Sequence, residues 1–266
     1  MKPVNLLFLF TAAPLVAEEL PYLNKQPWLG QYAGTETRDF RFMVKTSGEA
    51  LVIPSKEKGG FISDRFAIKL APLIEDTLPD GKVIGKYPIK DGWEAVTPAT
   101  EDPEKITYRG TVAGEGKFEV NIELAGGKIT AGGRILEKGK LANPRFVIRV
   151  QVPNVYQYDT DAKKRDEKTK KDRIDLVRAD GKKLKLDVNT ALDAESEKFS
   201  GPGITQARIE MAGYAGHKLE TAAGTAGVFE FWNKGEAALY EGFTLGWKHD
   251  AAKDPEGKGR LSFELR

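Results

Sequence analysis

KFEVNIELAGGKITAGGRILEKGKLANPRFVIRVQV, residues 117–152, shows a strand periodicity that sets the architecture of the chain. Phe118, Val120, Ile122 and Leu124 alternate with Lys117, Glu119, Asn121 and Glu123. An Ala-Gly-Gly-Lys turn at 125–128 leads into a second run that ends at Ile135. After Pro144, Phe146, Ile148, Val150 and Val152 alternate with Arg145, Val147, Arg149 and Gln151. A period of two sends successive side chains to opposite faces of a pleated strand, so this block is a sheet with one dry side and one wetter side.

Outward from that block the same pattern recurs. Phe40, Phe42 and Val44 form an alternating run, as do Phe66, Ile68 and Leu70, and a strand is predicted at 82–89 after the Asp80-Gly81 turn. On the C-terminal side, runs at 174–178 and 184–188 flank Ala179-Asp180-Gly181-Lys182, the Asp-Gly signature of a hairpin. Further strands are predicted at 204–211, 228–232, 238–247 and 260–265, with one short helix at 190–199. Many short strands and little helix predict an all-β protein, an antiparallel β-sandwich that is either one large unit or two in tandem.

Two segments depart from the pattern. Residues 1–17 carry Lys2, an apolar run from Val4 to Val16 and a small Ala17 before Glu18 and Glu19, the layout of a cleaved export signal. The run is shorter than the about 20 apolar residues of a membrane span. The second, DTDAKKRDEKTKKDR at 159–173, has Ala162 as its one apolar residue and reads as a solvated, partly helical excursion. The chain thus divides into 1–17 as signal, 18–156 as an N-terminal β-sandwich portion, 157–173 as a charged excursion, and 174–266 as a C-terminal β portion packed on the first.

Composition narrows the function. With no cysteine, disulfides, thiol catalysis and thiolate metal sites are excluded. The 41 lysines and arginines, one of them Lys2, stand against 39 acids, so no overall field directs the chain to nucleic acid or an anionic membrane. The chain has two histidines, His217 and His249, far apart in sequence and both beside turn residues, read as surface or turn groups and not as a catalytic pair, so neither a metal site nor a cofactor is predicted. Asp159 and Asp161 lack the further oxygen ligands and turn glycine of a calcium loop. A membrane-spanning barrel is disfavoured, because its strands need about 9–11 residues and a lipid-facing apolar band.

Two constellations remain. Tyr156, Tyr158, Trp232 and Tyr240, with Arg149 from the polar row Arg145, Arg149 and Gln151, are candidate glycan contacts. Sugar rings stack their C–H faces on aromatics, and their hydroxyls suit Arg, Asn and Gln; Glu119 and Asn121 are candidate additions to that row. The second constellation is acidic. Glu241 shares an alternating face with Leu239, Phe243, Leu245 and Trp247, and a carboxyl on a dry face is tuned toward general-acid work. A bulge or an ion pair is the plainer reading of it. Glu230, between Phe229 and Phe231, is the other alternative acid or base. The sequence therefore predicts a periplasmic or secreted protein that binds a polysaccharide or a cell-envelope protein without catalysis. The alternative is a glycoside hydrolase or lyase using those two carboxylates.

Overall fold

The computed structural model describes residues 19–153, 155, 161–187, 200–232 and 242–266. The predicted signal at 1–17 and the helix at 190–199 lie outside the described residues. Strands β1 (Gln31–Glu36), β2 (Phe40–Lys45), β3 (Ala50–Pro54), β4 (Ile68–Thr77), β5 (Val83–Lys86) and β6 (Pro88–Ala95) open the chain. Then come β7 (Thr100–Glu101), β8 (Lys105–Val112), β9 (Lys117–Ala125), β10 (Lys128–Glu137) and β11 (Pro144–Val152). Helix α1 (Ala162–Thr169) precedes β12 (Arg173–Arg178), β13 (Lys183–Asp187), β14 (Ile204–Glu210) and β15 (Lys218–Ala222). The last three are β16 (Gly227–Trp232), β17 (Phe243–His249) and β18 (Leu261–Leu265).

The protein is all-β. Its strands form one large sheet that curls over on itself, and every strand pairing among the described residues is antiparallel except the two-residue contact of β7 with β1. One layer runs β1-β2-β3-β4-β11-β17-β16, and the other β12-β14-β15-β18-β10-β9-β8-β6. The layers join where Ile204 of β14 pairs with Phe229 of β16. At the far side, the amides of Val96 and Thr97 bond the Thr107 carbonyl on β8 while β7 pairs with β1, so 96–101 bridges the two ends.

The inward faces share one core, built from residues on both sides of the charged excursion. An aromatic column runs through it. Phe118 on β9 meets Phe146 on β11 at 5.5 Å between ring centroids, and Phe146 meets Trp247 on β17 at 6.4 Å. Buried polar atoms on such rings need partners. The Trp247 indole donates to the Ala223 carbonyl at 2.8 Å and the Tyr108 hydroxyl to the Gly48 carbonyl at 2.7 Å. Glycines within strands are explained by these rings as well as by turns. A side-chain carbon at Gly110 would overlap Phe118, and one at Gly133 would overlap Phe146 and the Glu119 carbonyl. Trp28 from the irregular lead-in lies buried over Gly34.

Two local readings change. Phe66 ends a single 3₁₀ turn, Asp64–Phe66, and the strand begins at Ile68, where pairing with Val52 of β3 starts. The run predicted as one strand at 82–89 is two. Lys86 is the last residue paired with β4 and Pro88 the first paired with β8, so the chain changes layer at Tyr87. The excursion carries α1, whose N-cap Asp161 accepts from the Lys164 amide at 3.2 Å. Its far end is not solvated: Asp172 is buried, with Oδ1 accepting from the Ala212 amide at 2.9 Å and Oδ2 without a hydrogen-bond partner. Among the described residues no helix is long and apolar enough to cross a membrane.

Candidate functional site

Alternation on β11 turns Phe146, Ile148 and Val150 into the core, leaving Arg145, Val147, Arg149 and Gln151 on the outer face. Cross-strand register then decides their neighbours. Arg149 lies opposite Ala71 of β4 on one side and Gly246 of β17 on the other, and Gly246 lies opposite Glu230 of β16. Arg149 and Glu230, 81 positions apart by their numbering, are thereby brought into one row with a glycine between them. A side-chain carbon at Gly246 would approach nothing nearer than the Glu230 carbonyl at 3.9 Å, so the lane between the two is open. The next row holds Leu73, Val147, Lys248 and Val228, and Leu73 and Val147 are fully buried, which gives the strip a dry floor.

Over that floor runs a chain of ion pairs. Arg149 Nη1 donates to the Tyr87 hydroxyl at 2.6 Å, and its guanidinium carbon stands 5.7 Å from the Tyr87 ring centroid. Arg149 Nη2 is 3.6 Å from Glu75 Oε1. Lys248 Nζ lies 3.0 Å from Glu75 Oε2 and 2.7 Å from Glu230 Oε1, bridging the two carboxylates. Glu75 and Lys248 side chains are only 13% and 12% exposed, so these charges act in a medium of lower dielectric than water and hold one another's rotamers. Tyr87, by contrast, is 53% exposed. Its place at the layer change, between two residues paired to different strands, holds its ring out beside the strip.

The strip runs on into a cleft of about 380 Å³ lined by Thr77, Asn143, Arg145, Arg134, Lys248, His249 and Asp250, among others. His249 is not a surface group: it is buried on β17, with Nε2 3.1 Å from Asp254 Oδ2. Burial pushes the Asp254 carboxyl up, but the Gly259 and Lys258 amides and the His249 ring outweigh it and hold the group below the usual carboxylate range. His217 sits in a turn and is partly buried, its Nε2 3.1 Å from the Ser55 hydroxyl. A larger depression, about 510 Å³, crosses the outer face of β12, β14, β15 and β18. Of its charges, Arg208 pairs with Glu210, and Glu264 with Arg266 and Lys128.

Of the residues singled out from the sequence, Arg149 and Glu230 come together. Trp232 ends β16 opposite Thr244, in the row that also contains Gln151, and its side chain lies outside the description. Tyr156, Tyr158, Tyr240 and Glu241 lie outside the described residues. Glu119 and Asn121 belong to the other layer. Glu119 holds Arg109 at 3.0 Å, and Asn121 accepts from the Thr107 hydroxyl at 3.0 Å. Sequence reasoning missed Tyr87, Glu75 and Lys248. Tyr87 is the one whose signal was present, an aromatic immediately before a proline that ends the preceding pairing. Among the described residues no group of three or more His, Asp or Glu is placed to hold a metal ion.

Fold and site together define an all-β protein, one curled sheet whose outer face carries a tyrosine-flanked ion-pair strip opening into a polar cleft. No protein-family model matches the chain, and no curated protein matches it in sequence.

Proposed function

We propose that the protein is an exported binding or accessory protein, periplasmic or secreted, that engages a polysaccharide through the strip on β4, β11, β17 and β16 and does not turn it over. The observation that carries this reading is Tyr87: a half-exposed ring whose hydroxyl is fixed by Arg149, beside the open lane over Gly246. A pyranose stacks its C–H face on such a ring and offers hydroxyls to the guanidinium and carboxylates next to it. Those groups are already locked by one another, so little side-chain freedom is lost on binding. The signal layout at 1–17 supports export.

The enzyme reading has one observation in its favour. Glu75 and Glu230 share the Lys248 ammonium, which places two carboxylates within twice a hydrogen-bond length of each other. The same ammonium fills the gap a glycosidic oxygen would need to enter, which favours binding. The test is a glycan array read beside an activity screen on the same polymers. Binding that falls with Tyr87→Ala and no reducing ends released is the expected outcome. Turnover that Glu230→Gln abolishes would establish the enzyme, and silence on every glycan would refute the proposal.

A further inference from the structure

We infer that the cleft at the Arg145 end of the strip is an oxyanion pocket for the carboxylate or sulfate of an acidic sugar unit, so the polymer proposed above is an anionic one; this rests on the polysaccharide reading. Arg145 lies directly opposite Glu75, the position from which a cross-strand ion pair is expected. Glu75 is diverted: its two oxygens face Arg149 at 3.6 Å and Lys248 at 3.0 Å. Glu230, the other acid of the strip, is held by Lys248 at 2.7 Å. Three cations therefore share two carboxylates. Arg145, exposed and without a partner among the described residues, carries the uncompensated charge.

Its surroundings suit an anion. Asn143 and Thr77 line the same cleft, and their side chains likewise meet no partner among the described residues, so the lining is polar as well as positively charged. Asp250 is the acid in the lining, and its oxygens are taken by its own loop. Oδ1 accepts from the Ala252 amide at 3.1 Å, and Oδ2 lies 3.0 Å from Lys253 Nζ. Arg134 also lines the cleft, but its charge is already partnered: Nη1 donates to the Glu256 carbonyl at 3.2 Å and Nη2 lies 3.7 Å from Glu119 Oε1. A guanidinium fork matches the two oxygens of a carboxylate or sulfate edge. The volume, about 380 Å³, lies near the lower end of small-ligand pockets (about 300–1,000 Å³), room for one sugar ring with its charged substituent.

The experiment measures affinity of the full chain for polygalacturonate, its methyl-esterified form, a sulfated glucan and the neutral glucan. Wild type, Arg145→Gln and Tyr87→Ala are compared, and superimposable melting curves check the folding of both variants. Expected is a preference of about tenfold or more for an anionic over the matching neutral polymer, lost in Arg145→Gln while neutral binding stays; the two anionic arms tell carboxylate from sulfate. Tyr87→Ala is expected to weaken charged and neutral polymers alike. Equal affinity for charged and neutral forms, or an anionic preference that survives Arg145→Gln, overturns the pocket and leaves the glycan reading standing. No binding to any of the four, with a negative glycan array, overturns both.

Discussion

Lys248 is the residue on which the strip turns, and replacing it with methionine tests the reasoning most directly. The substitution keeps the aliphatic stem and deletes an ammonium that reaches Glu75 at 3.0 Å and Glu230 at 2.7 Å. Glu75, 13% exposed, is left with Arg149 at 3.6 Å, whereas Glu230, 38% exposed, can turn to solvent. A fully buried charge stripped of its partner costs about 3–5 kcal/mol. Partial exposure and the surviving arginine reduce that to the value of one charge-assisted hydrogen bond, about 1.5–3 kcal/mol. For a chain of this size the melting temperature should fall by about 3–12 °C. Urea unfolding of Lys248→Met, of Glu75→Gln and of the double variant measures the coupling as a cycle, because removing both partners leaves no orphan. High salt should change the result little, since the pair is mostly shielded. A Lys248→Met chain within about 0.5 kcal/mol of wild type, the scatter of ordinary surface changes, would refute the claim that this network holds the outer face.

Other perturbations reach different parts of the molecule. Gly133→Ala places a methyl against the Phe146 ring and the Glu119 carbonyl and should destabilise by about 1–3 kcal/mol, read from the urea midpoint; an unchanged midpoint would mean the column has slack there. Tyr87→Ala should leave the melting temperature within about 1 °C while lowering glycan affinity about tenfold, in a titration against the best polymer from the array. Burial raises the Asp172 carboxyl, and the Ala212 amide only partly offsets it. A group raised in the folded state contributes stability below its unfolded pKa of about 3.9 and loses it as pH climbs through the folded value. Asp172→Asn keeps an acceptor for Ala212 and removes the charge, so it should melt above wild type at neutral pH, with the gap closing toward about pH 4. A gap that ignores pH would show that desolvation of this carboxylate is not the cause.

Residues 117–152 carry their own fold instructions because a strand's two faces are written locally. Phe118, Val120 and Ile122 are buried while Lys117, Glu119 and Asn121 are less so, as alternation requires. The same holds for the hairpin of β12 and β13, Arg173–Asp187, whose Asp180-Gly181 turn fixes its register. Local pattern says which way a side chain points and nothing about which strand lies beside it. Glu75, Lys248 and Glu230 meet because β4, β11, β17 and β16 are adjacent, an order set by how the inward faces pack around Phe146 and Trp247. Arg149 and Glu230 were visible as polar residues at the right parity, but that they share a row, with Gly246 open between them, is a property of register across three strands. His249 shows the converse: a histidine beside a turn in sequence, it is buried because it shares the inward parity of Leu245 and Trp247 on β17, its ring 5.9 Å from that of Trp247. Tyr87 is exposed for a reason no period reveals, since the chain leaves one layer for the other there. The amino-acid sequence by itself determined strands, faces and turns, which depend on neighbours two residues away. The tertiary structure decided the site, because charges at distant positions acquire partners only after the sheet has closed on its core.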